Sequence, residues 1–263
     1  THVTAKVLEN ADKLLAIGAF CIGTNQIALN AARKKGVAVF NAPYSNTRSV
    51  AELVIGLCVM LIRKIIDKNN AAHSGTWMKE AKGSYELRGK TLGIVGYGNI
   101  GSQVSVLAEA MGMNVVYYDV VKKLPHGNAK QIKSLDELLQ QSNIVTLHVP
   151  SDKSTQNMMN ETSFAKMQKG SIFINYARGE VCDLEALKKF IDDGTITGAA
   201  VDVFPAEPEK NGDAFSSCLQ NLSNVILTPH IASATEETRG KMSALAAENI
   251  IAALEGKTPP NLI

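Results

Sequence analysis

Short apolar runs alternate with amphipathic stretches along most of the chain. Short apolar runs bounded by polar residues or glycine are typical of buried strands, and helical periodicity between them indicates βαβ units in parallel sheets. The predicted strands cover residues 13–19, 37–41, 91–95, 114–118, 144–148, 171–175, 198–203 and 225–227.

Several amphipathic stretches predict helices with defined ends. Ser134 and Asp183 each precede a helical pattern, where their side chains can accept hydrogen bonds from the first backbone N–H groups. Gly194 follows the second of these patterns and is a typical helix terminator. The predicted helices cover residues 49–69, 135–139, 184–191 and 232–254.

The order of these elements indicates two domains. The six predicted strands from residue 91 onward can form one complete doubly wound parallel sheet, whereas the two strands before residue 45 stand apart from it. The helix at 232–254 can return to the first domain. The sequence therefore predicts an α/β protein in which a domain at residues 46–232 is inserted into a smaller α/β domain at residues 1–45 and 233–263.

Composition and charge exclude several classes of partner. The chain has 263 residues, of which 45% are hydrophobic and 20% are charged, as in ordinary globular proteins. Its net charge of +2 comes without a long basic run, so neither nucleic acid nor a membrane surface is expected as a partner, while small anionic substrates remain open. Charged residues interrupt the predicted helix at 49–69, so its apolar run is short for a bilayer and it is interpreted as a buried or interface helix.

The cysteines indicate the cellular compartment. Four cysteines are scattered along the chain without a CxxC pair, which argues against a disulfide framework and against a structural zinc site. We therefore expect no metal and a reducing compartment, the cytoplasm. The chain opens at Thr1 without an initiator methionine and without a signal peptide, so we expect its natural N-terminus to lie further upstream.

A glycine pattern follows the strand at 91–95. Gly96 permits a tight turn, Gly98 lets backbone N–H groups approach a pyrophosphate, and Gly101 lets the following helix pack closely on the strand. Asp119 ends the next strand, where its carboxylate can bind a ribose diol and repel a 2′-phosphate. The glycines alone also fit an ordinary βα turn, but with both strands, the helix and the acid they predict a Rossmann-type dinucleotide-binding unit that prefers NAD.

Three reactive side chains follow successive strands of the predicted sheet. Arg178, Glu207 and His230 come after strands whose carboxyl ends form the ligand-binding edge. A histidine can exchange a proton near neutral pH, a glutamate can fix its tautomer, and an arginine can hold a carboxylate in a two-pronged hydrogen bond. This set suits hydride transfer from a 2-hydroxy acid. Taken singly, the three also fit a surface ion pair, a loop carboxylate and a buried histidine.

Runs of sequence across nearly the whole chain carry a family resemblance. They lie at residues 20–25, 40–43, 45–52, 88–94, 147–150, 198–205 and 227–230. With these runs the chain resembles the D-isomer-specific 2-hydroxyacid dehydrogenases, and the run at 45–52 resembles the branch that oxidises 3-phosphoglycerate. The resemblance implies a Rossmann-type NAD-binding domain inserted into a smaller flavodoxin-like substrate domain.

The resemblance also implies roles for individual residues. Arg178 binds the substrate carboxylate and carbonyl, His230 is the acid/base, and Glu207 is its partner. The implied cofactor contacts are Gly96, Gly98, Asn99, Ile100 and Gly101 at the pyrophosphate, Asp119 at the ribose, His148, Val149 and Pro150 on the adenine side, and Tyr176, Ala177, Arg178, Asp202 and His230 around the nicotinamide. The implied substrate contacts are Ile22, Gly23, Thr24, Asn25, Asn46, Arg178 and His230.

Two of these roles have simpler alternatives. Asp202 can instead cap the turn that follows its strand, and for His148 a strand-end histidine without a catalytic contact is the favoured interpretation. The loop at 231–235 lacks the glycines usual in the family, so we expect it to be less flexible. Arginines that hold the substrate phosphate in relatives are expected upstream of Thr1, and Arg48, Lys79 and Lys82 are the remaining candidates.

The predicted activity is NAD-dependent oxidation of 3-phospho-D-glycerate to 3-phosphohydroxypyruvate, the first step of serine biosynthesis. Alternatives are a dehydrogenase of another D-2-hydroxy acid, such as glycerate, lactate or 2-hydroxyglutarate, and an NAD-sensing corepressor-like binding protein. The chain stops where longer relatives continue into a regulatory domain, so we expect a short form without feedback inhibition by serine. The apolar helix at 49–69 predicts a homodimer, with burial inside one subunit as the alternative.

Overall fold

The computed structural model describes residues 2–24, 26–259 and 261–263. It divides into two compact units, one made of Thr1–Ser49 with Ser233–Ile263 and one made of Val50–Ala232. The predicted domains meet at residues 45/46 and 232/233, and these units meet at 49/50 and 232/233. The first boundary lies in the opening turn of a long helix, which runs from Thr47 to Ile62.

The strands in chain order are β1 (Ala16–Gly18), β2 (Ala38–Phe40), β3 (Thr91–Val95), β4 (Asn114–Tyr118), β5 (Lys130–Gln131), β6 (Ile144–Leu147), β7 (Ser171–Asn175), β8 (Ile196–Val201) and β9 (Val225–Leu227). The helices are α1 (Ala5–Glu9), α2 (Leu29–Lys35), α3 (Thr47–Ile62), α4 (Ile65–His73), α5 (Asn99–Ala110), α6 (Leu135–Gln141), α7 (Glu161–Phe164), α8 (Leu184–Asp192) and α9 (Glu236–Leu254), with a 3₁₀ turn at Gly179–Val181.

The larger unit is built on one parallel sheet. Its strands lie in the order β5-β4-β3-β6-β7-β8-β9, and every neighbouring pair is parallel. The chain leaves β3 towards β4 on one side and later returns to β6 on the other, so the strand order reverses beside β3. Ligands of such sheets bind at this reversal, outside the carboxyl ends of the strands. The predicted α/β class with a Rossmann-type parallel sheet is confirmed.

Both faces of this sheet are buried, which explains the continuous apolar runs in the sequence. In β7, Phe173 packs into one hydrophobic cluster, whereas Ile172 and Ile174 pack into the cluster on the opposite face. The register pairs Val95 at the end of β3 with Leu147 at the end of β6. The loops that follow the central strands therefore begin at the same level of the sheet.

Several predicted bounds shift by two or three residues, as for β8 at Ile196–Val201, and three larger details differ from the prediction. Strand β5 is short and exposed, so it has no apolar run to reveal it. The predicted helix at 49–69 is two helices, because the chain turns at Lys64 (φ +52°) and the carbonyls of Ile62 and Arg63 accept hydrogen bonds from segment 84–85. Helix α9 begins at Glu236 rather than at Ala232, after the Thr235 side chain accepts a hydrogen bond from the Thr238 N–H.

The predicted helix caps are present. Ser134 Oγ accepts a hydrogen bond from the Glu137 N–H, and Asp183 Oδ1 accepts from the N–H groups of Glu185 and Ala186. These bonds satisfy backbone donors that have no partner inside the helix. Local sequence therefore determines where α6 and α8 begin.

The smaller unit has a short parallel sheet of its own. Strand β1 pairs with β2, and α9 packs against β1 so closely that a Cβ on Gly18 would lie 2.7 Å from the Ile250 side chain. Leu8, Val37 and Val39 belong to its separate hydrophobic core. Of the helices that the described residues form, none combines the length and the hydrophobicity needed to cross a membrane.

Candidate active site

The glycine turn after β3 depends on missing side chains. Gly96 has φ +91°, and a Cβ there would lie 2.5 Å from the carbonyl oxygen of His148. A Cβ on Gly101 would lie 2.1 Å from the carbonyl oxygen of Gly96. Both contacts are with backbone atoms, which cannot swing aside. The close packing predicted for Gly101 is therefore present.

Gly98 faces open space instead. It is exposed, and a Cβ at this position would meet no atom within 4 Å. Gly98 is also the N-cap of α5 and has no side chain with which to cap it, so the helix presents its first N–H groups, beginning at Asn99 and Ile100. Open space at the positive end of a helix fits the phosphates of a dinucleotide.

Asp119 lies beside this turn at the end of β4. Its Oδ2 accepts a hydrogen bond from the Tyr97 N–H at 2.8 Å, and its Oδ1 accepts from the Val121 N–H at 2.9 Å. The carboxylate is half-buried, so part of it faces solvent. Each oxygen keeps a lone pair for a hydroxyl donor. The acid predicted to bind a ribose is thus fixed relative to the glycine turn.

Sequence reasoning missed the two tyrosines beneath this turn. The rings of Tyr97 and Tyr117 stack with their centres 3.7 Å apart. The Tyr97 hydroxyl bonds to Ser105 Oγ of α5 and accepts from the His126 N–H, while the Tyr117 hydroxyl donates to the Lys123 carbonyl. The pair thereby ties the turn to α5 and to the loop after Asp119. The sequence signal that could have revealed the pair is Tyr97 itself, which stands between Gly96 and Gly98 at a position where the glycine pattern accepts any residue.

Glu207 and His230 form a direct pair. Glu207 Oε2 lies 2.8 Å from His230 Nδ1, and Glu207 Oε1 accepts a hydrogen bond from the Phe204 N–H at 3.0 Å. His230 has φ +52°, and its N–H donates to the Asp202 carbonyl. Since Nδ1 faces the carboxylate, Nε2 is the nitrogen left to exchange a proton with a ligand. The side chain of His230 is 48% exposed, so a ligand can reach it.

Arg178 follows β7 at the same edge of the sheet. Its Nη1 donates to the Ala177 carbonyl at 2.6 Å, and its own carbonyl accepts from the buried Asn175 side chain at 3.0 Å. Gly179 lets this loop touch the loop after β8, because a Cβ there would lie 2.1 Å from the carbonyl carbon of Phe204. Asn175, which the sequence analysis missed, therefore shapes the loop that carries the arginine.

Asp202 is fully buried and accepts three hydrogen bonds. Its Oδ1 accepts from the Thr228 hydroxyl at 2.6 Å and from the Ile231 N–H at 2.8 Å, and its Oδ2 accepts from the Ala232 N–H at 2.9 Å. The Tyr176 hydroxyl lies 2.8 Å from Thr228 Oγ1, and burial raises the pKa of Tyr176 to about 12. These contacts match the turn-capping alternative for Asp202, whose contact with a nicotinamide stays a prediction.

His148 lies next to the glycine turn after β6. Its Nε2 is 3.1 Å from the Thr146 hydroxyl, and its buried Nδ1 has no hydrogen-bond partner among the described residues. Burial lowers the pKa of His148 to about 3. Val149 is half-buried, and the Pro150 carbonyl accepts a hydrogen bond from Thr155. An adenine contact for this segment stays a prediction.

The predicted substrate loop belongs to the smaller unit. The Ile22 carbonyl accepts a hydrogen bond from Asn41 Nδ2, and the Gly23 carbonyl accepts from Gln26 Nε2. Side chains thus hold two loop carbonyls. Asn46 keeps its Oδ1 buried and without a partner in the described part of the chain. Thr24 is half-buried, and Asn25 lies outside the described residues.

Comparison with known proteins adds independent findings. The NAD binding domain of the D-isomer specific 2-hydroxyacid dehydrogenases matches residues 55–232. The chain is 54% identical over 239 residues to a D-3-phosphoglycerate dehydrogenase from Haemophilus influenzae, covering 91% of this chain and 58% of that protein.

Two solved structures show the same fold. The TT0316 protein of Thermus thermophilus is 36% identical with a TM-score of 0.91, covering 100% of this chain and 83% of that one. A D-lactate dehydrogenase from Aquifex aeolicus, complexed with NAD and lactic acid, is 30% identical with a TM-score of 0.87, covering 99% and 83%. With the glycine turn, Asp119 and the Glu207–His230 pair in place, the chain belongs to the D-isomer specific 2-hydroxyacid dehydrogenase family.

Proposed function

We propose that this chain catalyses the NAD-dependent oxidation of 3-phospho-D-glycerate to 3-phosphohydroxypyruvate, the first step of serine biosynthesis. The observation that carries the chemistry is the 2.8 Å pair of His230 and Glu207 at the sheet edge where the glycine turn also ends. The substrate class is supported by the 54% identity to a D-3-phosphoglycerate dehydrogenase, of which the chain spans 58%.

His230 is the base of the proposed reaction. Its Nδ1 is held by Glu207 Oε2, so Nε2 removes the proton from the C2 hydroxyl of the substrate. The positive charge that forms on the imidazole is stabilised by the carboxylate. A nicotinamide bound at this edge of the sheet would supply the acceptor for the hydride from C2. In the reverse direction His230 returns its proton to the carbonyl oxygen.

Arg178 is the carboxylate-binding residue of this proposal. One of its N–H groups is committed to the Ala177 carbonyl, which leaves the rest of the guanidinium for the substrate. We assign the cofactor to the glycine turn, to Asn99 and Ile100 at the start of α5, and to Asp119. The smaller unit is the proposed substrate domain, with the loop at 22–24 and Asn46 as its contacts.

NADH formation with 3-phosphoglycerate tests the activity on the full-length protein. His230→Gln should lower turnover by about 10²–10⁴-fold, because it removes the group that takes the proton. His73→Gln is the matched control, since His73 is exposed at the end of α4. A His230→Gln variant as active as the parent would reject this histidine as the base.

A second candidate substrate is a 2-hydroxy acid without a phosphate. It is favoured by the likeness to the D-lactate dehydrogenase complexed with NAD and lactic acid. Turnover of D-lactate, D-glycerate and 2-hydroxyglutarate beside 3-phosphoglycerate separates the two candidates. Loss of activity when the phosphate is removed supports the phosphorylated substrate, and activity on lactate alone supports the second.

We also propose a homodimer in a reducing compartment such as the cytoplasm. On helix α3, Leu53, Ile55 and Val59 pack against the core of the larger unit but stay only half-buried around the exposed Gly56. The described cysteines are free, which suits a reducing compartment. A sizing experiment that gives the mass of one chain at all concentrations would reject the dimer.

A further inference from the structure

A line of side-chain hydrogen bonds crosses three neighbouring loops of the larger unit. Tyr176 follows β7, Asp202 follows β8 and Thr228 follows β9. The Tyr176 hydroxyl lies 2.8 Å from Thr228 Oγ1, which donates to Asp202 Oδ1 at 2.6 Å. Tyr176 is 5% exposed and Asp202 is fully buried, so water cannot readily replace a lost hydrogen bond between these side chains.

The direction of the protons follows from simple counting. A threonine hydroxyl has one proton, and Thr228 gives that proton to the Asp202 carboxylate. Thr228 Oγ1 can therefore only accept from the Tyr176 hydroxyl. The line then runs one way, from Tyr176 through Thr228 to Asp202, and every donor and acceptor in it has a defined role.

At one end this line bonds to the backbone segment that carries His230, and at the other it begins in the segment that carries Arg178. Asp202 accepts from the Ile231 and Ala232 N–H groups, which directly follow His230. Tyr176 precedes Arg178 by two residues. The line is thus a side-chain link between the segment that presents the proposed base and the segment that presents the proposed carboxylate ligand.

We propose that the Tyr176–Thr228 hydroxyl pair positions His230 relative to Arg178 for hydride transfer, an inference that rests on the proposed dehydrogenase function. In this proposal the two hydroxyls act through the segments that they join and take no proton from the substrate, so both are positioning residues. A base and a carboxylate ligand carried on separate loops lose their alignment when the loops move independently. Misplacement by about 1 Å is enough to reduce the rate about 10²-fold.

Two substitutions at Thr228 separate the hydroxyl from the shape of the side chain. Thr228→Val keeps the shape and removes both hydrogen bonds, so kcat should fall about 10²-fold. The KM for NAD should change less than kcat, because the glycine turn and Asp119, the proposed pyrophosphate and ribose contacts, are untouched. Thr228→Ser keeps the hydroxyl and should restore kcat to within about threefold of the parent.

Tyr176→Phe breaks only the link between the loops after β7 and β9. It should lower kcat by about fivefold to tenfold, a smaller loss than that of Thr228→Val, because Thr228 can still donate to Asp202. Ser142→Ala is the matched control. It removes a fully buried hydroxyl that bonds to the Leu138 carbonyl before β6, at the opposite end of the strands, and kcat should not change.

Amide hydrogen exchange at Ile231 and Ala232 tests the line without any substrate. Both N–H groups should exchange faster in Thr228→Val than in Thr228→Ser. If the parent forms no NADH from any 2-hydroxy acid, the proposed function fails, and exchange alone decides on the positioning role. Unchanged exchange rates, or a Thr228→Val kcat within twofold of an active parent, would overturn the proposal.

Discussion

The turns after β3 and after β9 lie at the same edge of one sheet and are built in opposite ways. The first turn depends on what is missing, since a Cβ on Gly96 or Gly101 would overlap backbone atoms. The second depends on what is present, since the buried Asp202 carboxylate accepts from the backbone N–H groups that follow His230 and from the Thr228 hydroxyl. One turn brings its backbone close to a ligand, and the other aims a side chain.

This difference has a physical consequence for each turn. Backbone atoms that pack this closely cannot move aside without moving the helix or the strand, so a substitution in the first turn should destabilise the fold through steric overlap. A hydrogen-bonded turn that loses one polar atom leaves a buried group without a partner, and the segment that the lost bond held becomes less well fixed. The first turn should therefore be more sensitive to added volume, and the second to the removal of single polar atoms.

The largest expected effect is that of Gly101→Ala. The added Cβ would lie 2.1 Å from the Gly96 carbonyl oxygen, so α5 must move away from β3. We expect unfolding in urea to show a loss of about 3 kcal/mol, the upper end for overpacking. NAD binding should weaken as well, because the start of the helix shifts with it.

Gly98→Ala is the control for Gly101→Ala. Its Cβ would meet no atom within 4 Å, and its φ of −81° suits alanine. Stability should stay within about 0.5 kcal/mol of the parent, while NAD affinity falls because the new methyl group faces the proposed phosphate site. If both alanine variants were equally stable, close packing would not be what this turn depends on.

Asp202→Asn should have the next largest effect. The amide has one acceptor oxygen, so at least one of the three donors at this site loses its partner inside the protein. The expected loss in the free energy of unfolding is about 2 kcal/mol. Asp213→Asn is the control, because Asp213 is exposed and accepts the Lys210 N–H. An equal loss in both variants would remove the distinction between the turns.

The two turns also differ in how far the sequence predicts them. The glycine turn was predicted correctly because its spacing in the sequence reports a backbone requirement. The sequence did not decide between the alternatives for Asp202, because no local pattern indicates that Thr228 and Ala232, which follow β9, bond to its carboxylate. Sequence likewise placed Arg178, Glu207 and His230 at one edge, while the 2.8 Å pairing needed the fold.

The remaining misses have similar causes. Strand β5 is too short and polar to stand out, and the break at Lys64 depends on segment 84–85, which supplies partners for the end of α3. Periodicity reports which face of an element is buried. It does not report partners that arrive from distant parts of the chain.

His148 provides a pH test beside the first turn. Burial lowers its pKa from 6.5 to about 3, so the folded protein keeps the imidazole neutral where the unfolded chain takes up a proton. Stability from this group is complete above about pH 6.5 and is lost on acidification by up to about 1.4 kcal/mol per pH unit, or about 2 kcal/mol by pH 5. Urea unfolding at pH 7, 6 and 5 measures the slope.

His148→Gln can keep the contact with Thr146 but cannot be protonated, so it should lose this part of the acid sensitivity. The exposed His126 gives the control substitution, His126→Gln, which should leave the slope as it is. An identical pH slope in parent and His148→Gln would show that His148 is not kept neutral by folding. The His148 backbone would then pack against Gly96 without the imidazole being shielded from solvent.

The smallest expected effect, at Asp119, joins the two ways of building a turn. Its carboxylate is a hydrogen-bonding side chain, and it holds the Tyr97 N–H inside the glycine turn. Asp119→Asn should cost only about 1 kcal/mol of stability, because the group is half-buried and water can replace the lost bond. The ratio of kcat/KM for NAD to that for NADP should fall about tenfold, since a neutral amide no longer repels a 2′-phosphate. Asp119→Glu keeps the charge and should keep the preference for NAD. If Asp119→Asn and Asp119→Glu change the NAD-to-NADP ratio equally, the position of the carboxylate matters more than its charge. The Asp119–Tyr97 hydrogen bond would then shape the cofactor site as much as the glycines do.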